Sequence, residues 1–319
     1  MSLGNFLYST DMEQLHLPQN LKVHFAGVEK PNYCIVASQL GVQYGLYTAF
    51  PFVAERIFKK KVWPIIPLKW MTDANMQMPQ YINCNMRHTI QDSGLYSLLF
   101  GKHKDKATKE FVYKWYDELI RFTNDHAQDV TVVEVDAQAV LGVEETWALR
   151  KRMAEELPNN RIINVYHIED HKYGLDRLIE YSDYLAIGSG VTKNNLYTLP
   201  LVKYIKEKKP TIDIHLLGCT KQSVLQQCAH LCTSSDSVTW QKPMQFGELT
   251  TSGHRIEWLD TNKVKAMVGN DLWESIEQYQ SARITNASIV SCEMYKRLYE
   301  IWCGNQDYRE YGKQILITT

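Results

Sequence analysis

Several features are missing from this 319-residue chain. Charge of one sign is missing: 35 basic residues face 36 acidic ones, so no global field draws the protein to nucleic acid, although a local basic patch remains open. Paired cysteines are missing. The seven, at 34, 84, 219, 228, 232, 292 and 303, are odd in number and none forms a CxxC, which argues for reduced thiols. No basic segment followed by an apolar core opens the chain, so no signal peptide is expected and the cytoplasm is the expected compartment. No apolar run approaches the roughly 18 residues of a membrane helix. There is no short repeat, no low-complexity tract, no GxGxxG, no HxH and no HExxH. Asn286-Ala287-Ser288 matches a glycosylation sequon; without secretion it reads as a helix N-cap.

What is present is an alternation. Short apolar, β-branched runs occur at Val23–Ala26, Cys34–Ser38, Thr89–Asp92, Val130–Asp136, Ile162–His167, Tyr184–Gly188, Ile212–Gly218 and Ser235–Trp240. Between the later runs lie segments with apolar residues at helical spacing: Thr108–Asn124, Glu144–Leu157, Leu175–Tyr181, Leu196–Lys208 and Ser223–His230. Eight strands alternating with helices predict a parallel sheet clothed by helices, and closure into a (β/α)8 TIM barrel is the economical form. An open doubly wound sheet is the alternative; it would want a glycine-rich phosphate loop.

Residues 40–88 interrupt the alternation and read as an insertion after the second strand. They carry Lys59-Lys60-Lys61, Trp63, Trp70 and four methionines, which suits either a packed flap or a lid facing nucleic acid. Residues 241–319 read as a C-terminal extension. Within it, Ala287–Cys303 places Ile289, Cys292, Tyr295, Tyr299 and Trp302 on one helix face, and Gly304 ends it. No linker separates these parts, so a single domain over 1–319 is expected.

In such a barrel the C-terminal strand ends face the active site. Here they read Asp92-Ser93-Gly94, Asp136, His167, Gly188-Ser189-Gly190, Gly218 and Asp236. Taken singly, each has a plain structural reading: Asp92 as a turn former, Asp136 as a helix cap, His167 as a core histidine, the glycines as turns. One strand register accounts for all of them together. Paired carboxylates in a pocket suit chemistry at an anomeric carbon, one as nucleophile and one as proton shuttle. A third suits the donor edge of a guanine. His167, Glu169, Asp170 and His171 could offer metal ligands, but they match no metal motif.

At these residues the chain resembles the tRNA-guanine (queuine/archaeosine) transglycosylase superfamily, and more closely the phage and bacterial branch that inserts 7-deazaguanines into DNA. The pieces are His24-Phe25-Ala26-Gly27, Gln91-Asp92-Ser93-Gly94, Val135-Asp136, Val165-Tyr166-His167, Tyr184-Leu185-Ala186-Ile187-Gly188, His215-Leu216-Leu217-Gly218 and Ser235-Asp236-Ser237-Val238-Thr239-Trp240, in the family's order. The resemblance implies a pentosyltransferase that exchanges guanine for a 7-deazaguanine, such as a preQ0-type base, without cutting the backbone. It implies Asp236 as nucleophile, Asp92 as general acid/base and Asp136 as reader of the base. Ser93, His167, Gly188, Ser189, Gly190, His215 and Gly218 group with Asp136 as substrate-binding residues. Lys59, Lys60 and Lys61, with Lys102 and Lys104, would contact phosphates. If phage-encoded, the protein would act in the host cytoplasm.

Two departures matter. The tRNA enzymes carry a C-x-C-x-x-C zinc site with a later His beyond the nucleophile; here only Cys292 and Cys303 follow Asp236, so neither zinc nor another cofactor is expected. Ser189 stands where a second glycine is usual. The missing zinc module favours DNA as partner, with tRNA as the alternative. A barrel hydrolase or glycosidase of small substrates and a non-catalytic nucleic-acid-binding barrel are the remaining readings.

Overall fold

The computed structural model describes residues 21–60, 78–99, 108–167, 171–188, 195–243, 260–277 and 281–300. Eight parallel strands close into a barrel in chain order, the last pairing with the first. They are β1 (Lys22–Ala26), β2 (Tyr44–Thr48), β3 (His88–Asp92), β4 (Thr131–Val133), β5 (Ile162–Tyr166), β6 (Tyr184–Ile187), β7 (Asp213–Leu216) and β8 (Ser234–Ser237). The helices are α1 (Pro31–Gln39), α2 (Phe50–Phe58), α3 (Met78–Asn85), α4 (Leu95–Leu99), α5 (Lys109–His126), α6 (Gln138–Leu141), α7 (Val143–Glu156), α8 (His171–Tyr181), α9 (Asn195–Lys208), α10 (Gln222–Cys228), α11 (Thr261–Val268), α12 (Asn270–Glu277) and α13 (Ala282–Glu300). The (β/α)8 fold is therefore the expected one.

The second strand is not where periodicity puts it. Cys34–Ser38 lies inside α1, which opens on Pro31. A continuous apolar run does not distinguish a buried strand from a buried helix. Tyr33, Cys34, Ile35, Val36 and Ala37 are all buried, because α1 is sandwiched between the barrel and the C-terminal helices. The real strand, Tyr44–Thr48, sits within the supposed insertion. Its Gly45 lets Met86 come close: a Cβ there would meet the Met86 sulfur at 2.2 Å. Residues 40–88 thus supply β2, α2 and α3, and only what lies between α2 and α3 falls outside the described residues.

Strand side chains alternate between the two faces. The outer face, with Phe25, Tyr47, Leu185, Ile187, Ile214 and Leu216, packs on the helices. Ala26, Leu46, Ile90, Val133, Ile163, Val165, Tyr184 and Ala186 form a separate inner cluster. Helix α5 shows how the outer layer is specified. Thr108 caps it through Phe111 N–H at 3.2 Å. Val112, Trp115, Leu119 and Phe122 then recur on its buried face. Trp115 is fully buried, and its indole N–H donates to Ser93 O at 3.0 Å. Trp115→Ala would cost about 3–5 kcal/mol.

The C-terminal helices share the barrel's outer core. Ile289, Cys292, Tyr295 and Tyr299 of α13 join one cluster with α1 and with Trp273 and Ile276 of α12. The Asn286 sequon lies inside α13 rather than at its N-cap: Asn286 is buried and its amide donates to Thr261 Oγ1 at 3.1 Å. Trp302, Cys303 and Gly304 lie outside the described residues. Among the described residues, Cys34, Cys219, Cys228, Cys232 and Cys292 are buried thiols not joined in disulfides, and no helix is long and apolar enough to cross a membrane.

Candidate active site

The C-terminal strand ends bring the predicted carboxylates to one mouth. Asp92 ends β3, and its Oδ1 accepts from Gly94 N–H at 2.7 Å. Gly94 adopts φ +74°, and a Cβ there would strike Phe50 N at 2.6 Å, so only glycine makes this turn. Burial pushes the Asp92 carboxyl up to about 6; the Gly94 N–H works against that rise, while the nearby Asp236 and Asp136 charges add to it. Ser93 is buried and its carbonyl is committed to Trp115, so it anchors the turn.

Asp136 and His167 meet across neighbouring strands. His167 Nε2 lies 2.6 Å from Asp136 Oδ2, and both side chains are part-exposed. Gly188 follows β6 beside them: an added Cβ would come to 3.7 Å from His167 Nδ1. Ser189 and Gly190 lie outside the described residues, as do Lys61, Lys102 and Lys104. Lys59 and Lys60 are exposed at the end of α2. Phe58 stacks on Phe111 in the first turn of α5, the end nearer the barrel mouth.

Asp236 sits in β8 opposite His24 of β1. Its Oδ1 accepts from Gly218 N–H at 2.8 Å and lies 3.1 Å from His215 Nε2. No hydrogen bond from the described residues reaches Oδ2, and the side chain is 10% exposed. One oxygen is thus anchored while the other has no partner among the described residues. His215 is fully buried beneath it, so it reaches the mouth only through that carboxylate. Gly218 contributes its backbone N–H.

Glu29 escaped the sequence reading. It follows β1 by three residues, is 3% exposed, and accepts from Thr48 N–H at 3.3 Å. Thr48 pairs with Asp92 in the β2–β3 register. Burial lifts the Glu29 carboxyl to about 7, and the Asp92 charge adds to that rise. The strand-end rule applied to β1 would have found it; the motif His24-Phe25-Ala26-Gly27 stops two residues short. Among the described residues no group of three or more His, Cys, Asp or Glu is placed to hold a metal ion.

Chemically, the mouth holds a buried carboxyl raised to about 6, a carboxyl group with one oxygen that no described residue bonds, and an Asp–His pair open to solvent. No family model matches the chain, and comparison with curated proteins finds no match. Among solved structures, QR15, an aldolase, is similar at a TM-score of 0.40 and 14% identity, over 70% of this chain and 92% of that one. At that similarity, one chain's reaction says nothing of the other's.

Proposed function

We propose that this protein is a base-exchanging transglycosylase that replaces guanine in DNA with a 7-deazaguanine through a covalent Asp236–glycosyl intermediate. One observation carries the reading. Asp236 has one oxygen tied by neighbouring groups and the other unclaimed by any described residue, beside a buried carboxyl, Asp92, raised to about 6. Two carboxyl groups with different environments are what a double displacement at an anomeric carbon requires.

In this reading Asp236 Oδ2 attacks C1′ and the bond to guanine breaks. Asp92 gives its proton to the departing base. The incoming 7-deazaguanine returns a proton to Asp92 as its ring nitrogen attacks C1′, and Asp236 leaves as carboxylate. Asp136 accepts from the N1–H and exocyclic amine of the base, held in orientation by His167. The target nucleotide leaves the duplex stack to reach the mouth. Lys59 and Lys60 supply phosphate contacts.

The test is exchange of labelled guanine, run in parallel on duplex DNA and tRNA, with a denaturing gel for the covalent adduct. Exchange and adduct on DNA are expected. Activity on tRNA alone would move the substrate to tRNA. A protein that binds neither nucleic acid would turn the reading toward a small-substrate hydrolase.

A further inference from the structure

The inner face of this barrel is polar where β6, β7, β8 and β1 meet, although such interiors are usually filled by branched aliphatic residues. His24, His215 and Ser234 are fully buried there, and Tyr184 is 2% exposed. Two hydrogen-bonded chains cross this region. In one, Tyr184 OH lies 2.5 Å from Ser234 Oγ, Ser234 Oγ lies 2.5 Å from His215 Nδ1, and His215 Nε2 lies 3.1 Å from Asp236 Oδ1. In the other, His24 Nδ1 faces the carbonyls of Lys22 and Ser235 at 3.2 and 3.3 Å, His24 Nε2 lies 2.9 Å from His88 Nδ1, and His88 Nε2 lies 3.1 Å from Thr131 Oγ1.

We propose that His215 is a positioning residue for Asp236, and that Tyr184 and Ser234 hold it in the Nε2–H tautomer. The direction of the chain follows from its ends. Gly218 N–H can only donate, so Asp236 Oδ1 is an acceptor, and His215 Nε2 supplies the hydrogen of the second bond. In the neutral ring that this proposal assigns, His215 Nδ1 is then bare and accepts the Ser234 hydroxyl hydrogen. With that hydrogen used, Ser234 Oγ accepts from Tyr184 O–H. Tyr184 is a dependable donor, because burial pushes its phenol up to about 12. The second chain orders itself from its carbonyl end: His24 carries its hydrogen on Nδ1, so does His88, and Thr131 donates to His88 Nε2. His24 stands edge-on to His215 with ring centroids 6.2 Å apart. Burial holds His24 well below its ordinary pKa and His88 down to about 4, so both are neutral neighbours.

The consequence is a carboxylate fixed from below. Gly218 and His215 both hold Oδ1, which restricts the rotation of Asp236 and leaves Oδ2 without a hydrogen bond from the described residues. The effect on rate rests on the exchange reading; the hydrogen-bond order does not.

The test has two arms on the full-length protein. In the first, nitrogen-15-labelled histidine is read by two-bond proton–nitrogen correlation spectra, with His215 assigned by its loss in His215→Gln. A neutral ring with hydrogen on Nε2 is expected for His215, and on Nδ1 for His24 and His88. An Nδ1–H or doubly protonated His215 overturns the proposal. In the second, single-turnover adduct formation with a guanine-containing duplex is compared among wild type, His215→Leu, His215→Gln and Tyr184→Phe, alongside duplex affinity. Loss of a hydrogen bond to a charged group predicts a roughly tenfold to hundredfold slower adduct step in His215→Leu, with affinity unchanged. His215→Gln, which keeps an N–H donor, recovers part of the rate. Equal loss in Leu and Gln variants that melt like wild type overturns the positioning role. If wild type forms no adduct on DNA or tRNA, the exchange reading falls, and the spectra alone decide the tautomer.

Discussion

Glu134 and Asp236 are buried carboxylates near the ends of strands of one barrel, and they are satisfied in opposite ways. Glu134 is saturated. Arg150 grips both its oxygens through Nε and Nη2 at 2.8–3.0 Å, Asn164 donates to Oε2 at 2.7 Å, and Val165 N–H donates to Oε1 at 2.9 Å. Among the described residues, Asp236 has its bonds on one oxygen only. The first arrangement leaves nothing for a substrate and ties β4 and β5 to α7. The second leaves one oxygen without a hydrogen bond from the described residues. Burial alone therefore does not distinguish these two carboxyl groups; the count of donors on each oxygen among the described residues does.

The contrast can be broken by substitution. Asp236→Ala should abolish adduct formation and exchange, while costing only about 1–3 kcal/mol from the partners it leaves unpaired. Full exchange in that variant would remove Asp236 from the reaction. Arg150→Leu should do the reverse: it strands Glu134 and should cost about 3–5 kcal/mol, with the exchange rate per folded molecule retained. Denaturant titration and single-turnover kinetics on both variants would show whether the two roles separate.

The Asp92 carboxyl sharpens the same contrast through pH. As a general acid it must be protonated, so adduct formation should fall about tenfold per pH unit above about 6. A rate that rises through that range would exclude Asp92 as the acid. Glu29 gives a smaller effect on stability. Its folded pKa, about 7, exceeds its ordinary 4.5, so its contribution is intact below about 4.5 and is lost as pH rises to 7. Glu29→Gln should therefore be more stable than wild type at pH 8, by roughly 3 kcal/mol, with the difference gone at pH 4. Urea melts at the two pH values would show it. Least of all, Lys59→Ser with Lys60→Ser should weaken DNA binding evenly across sequences and lower its salt slope by about 1–2.

Seven of the eight strands could be read from the chain because short β-branched runs bounded by turns carry their own signal. The second could not, because α1 is buried on every side and loses the polar face that marks a surface helix. Tyr44–Thr48 went unread because Gly45 and flanking polar residues dilute a five-residue signal. The site shows the same division. Asp92, Asp136, His167 and Asp236 fall at strand ends, which sequence order can find. The pairing of Asp136 with His167, the burial of His215 and the presence of Glu29 depend on barrel register and on which face each residue takes. The Glu134–Arg150 pair was equally hidden, since a carboxylate two residues from Asp136 differs from it only in pointing outward.

The seam between β1 and β8 has a consequence for how the protein is made. His24 and Ser235, 211 residues apart in sequence, meet across it, and Trp240 and Gln241 fasten it by donating to Ala26 O at 2.9 and 2.7 Å. A chain emerging from the ribosome can pair β1 with β2 and β3 early, since those contacts are local. Asp236 gains its surroundings only when the last strand arrives and the ring shuts. Chains that stop short of β8 then hold most of the barrel, with Asp92 and Asp136 in it, but lack Asp236. The setting of Asp236 comes into being with closure, in the final stage of folding.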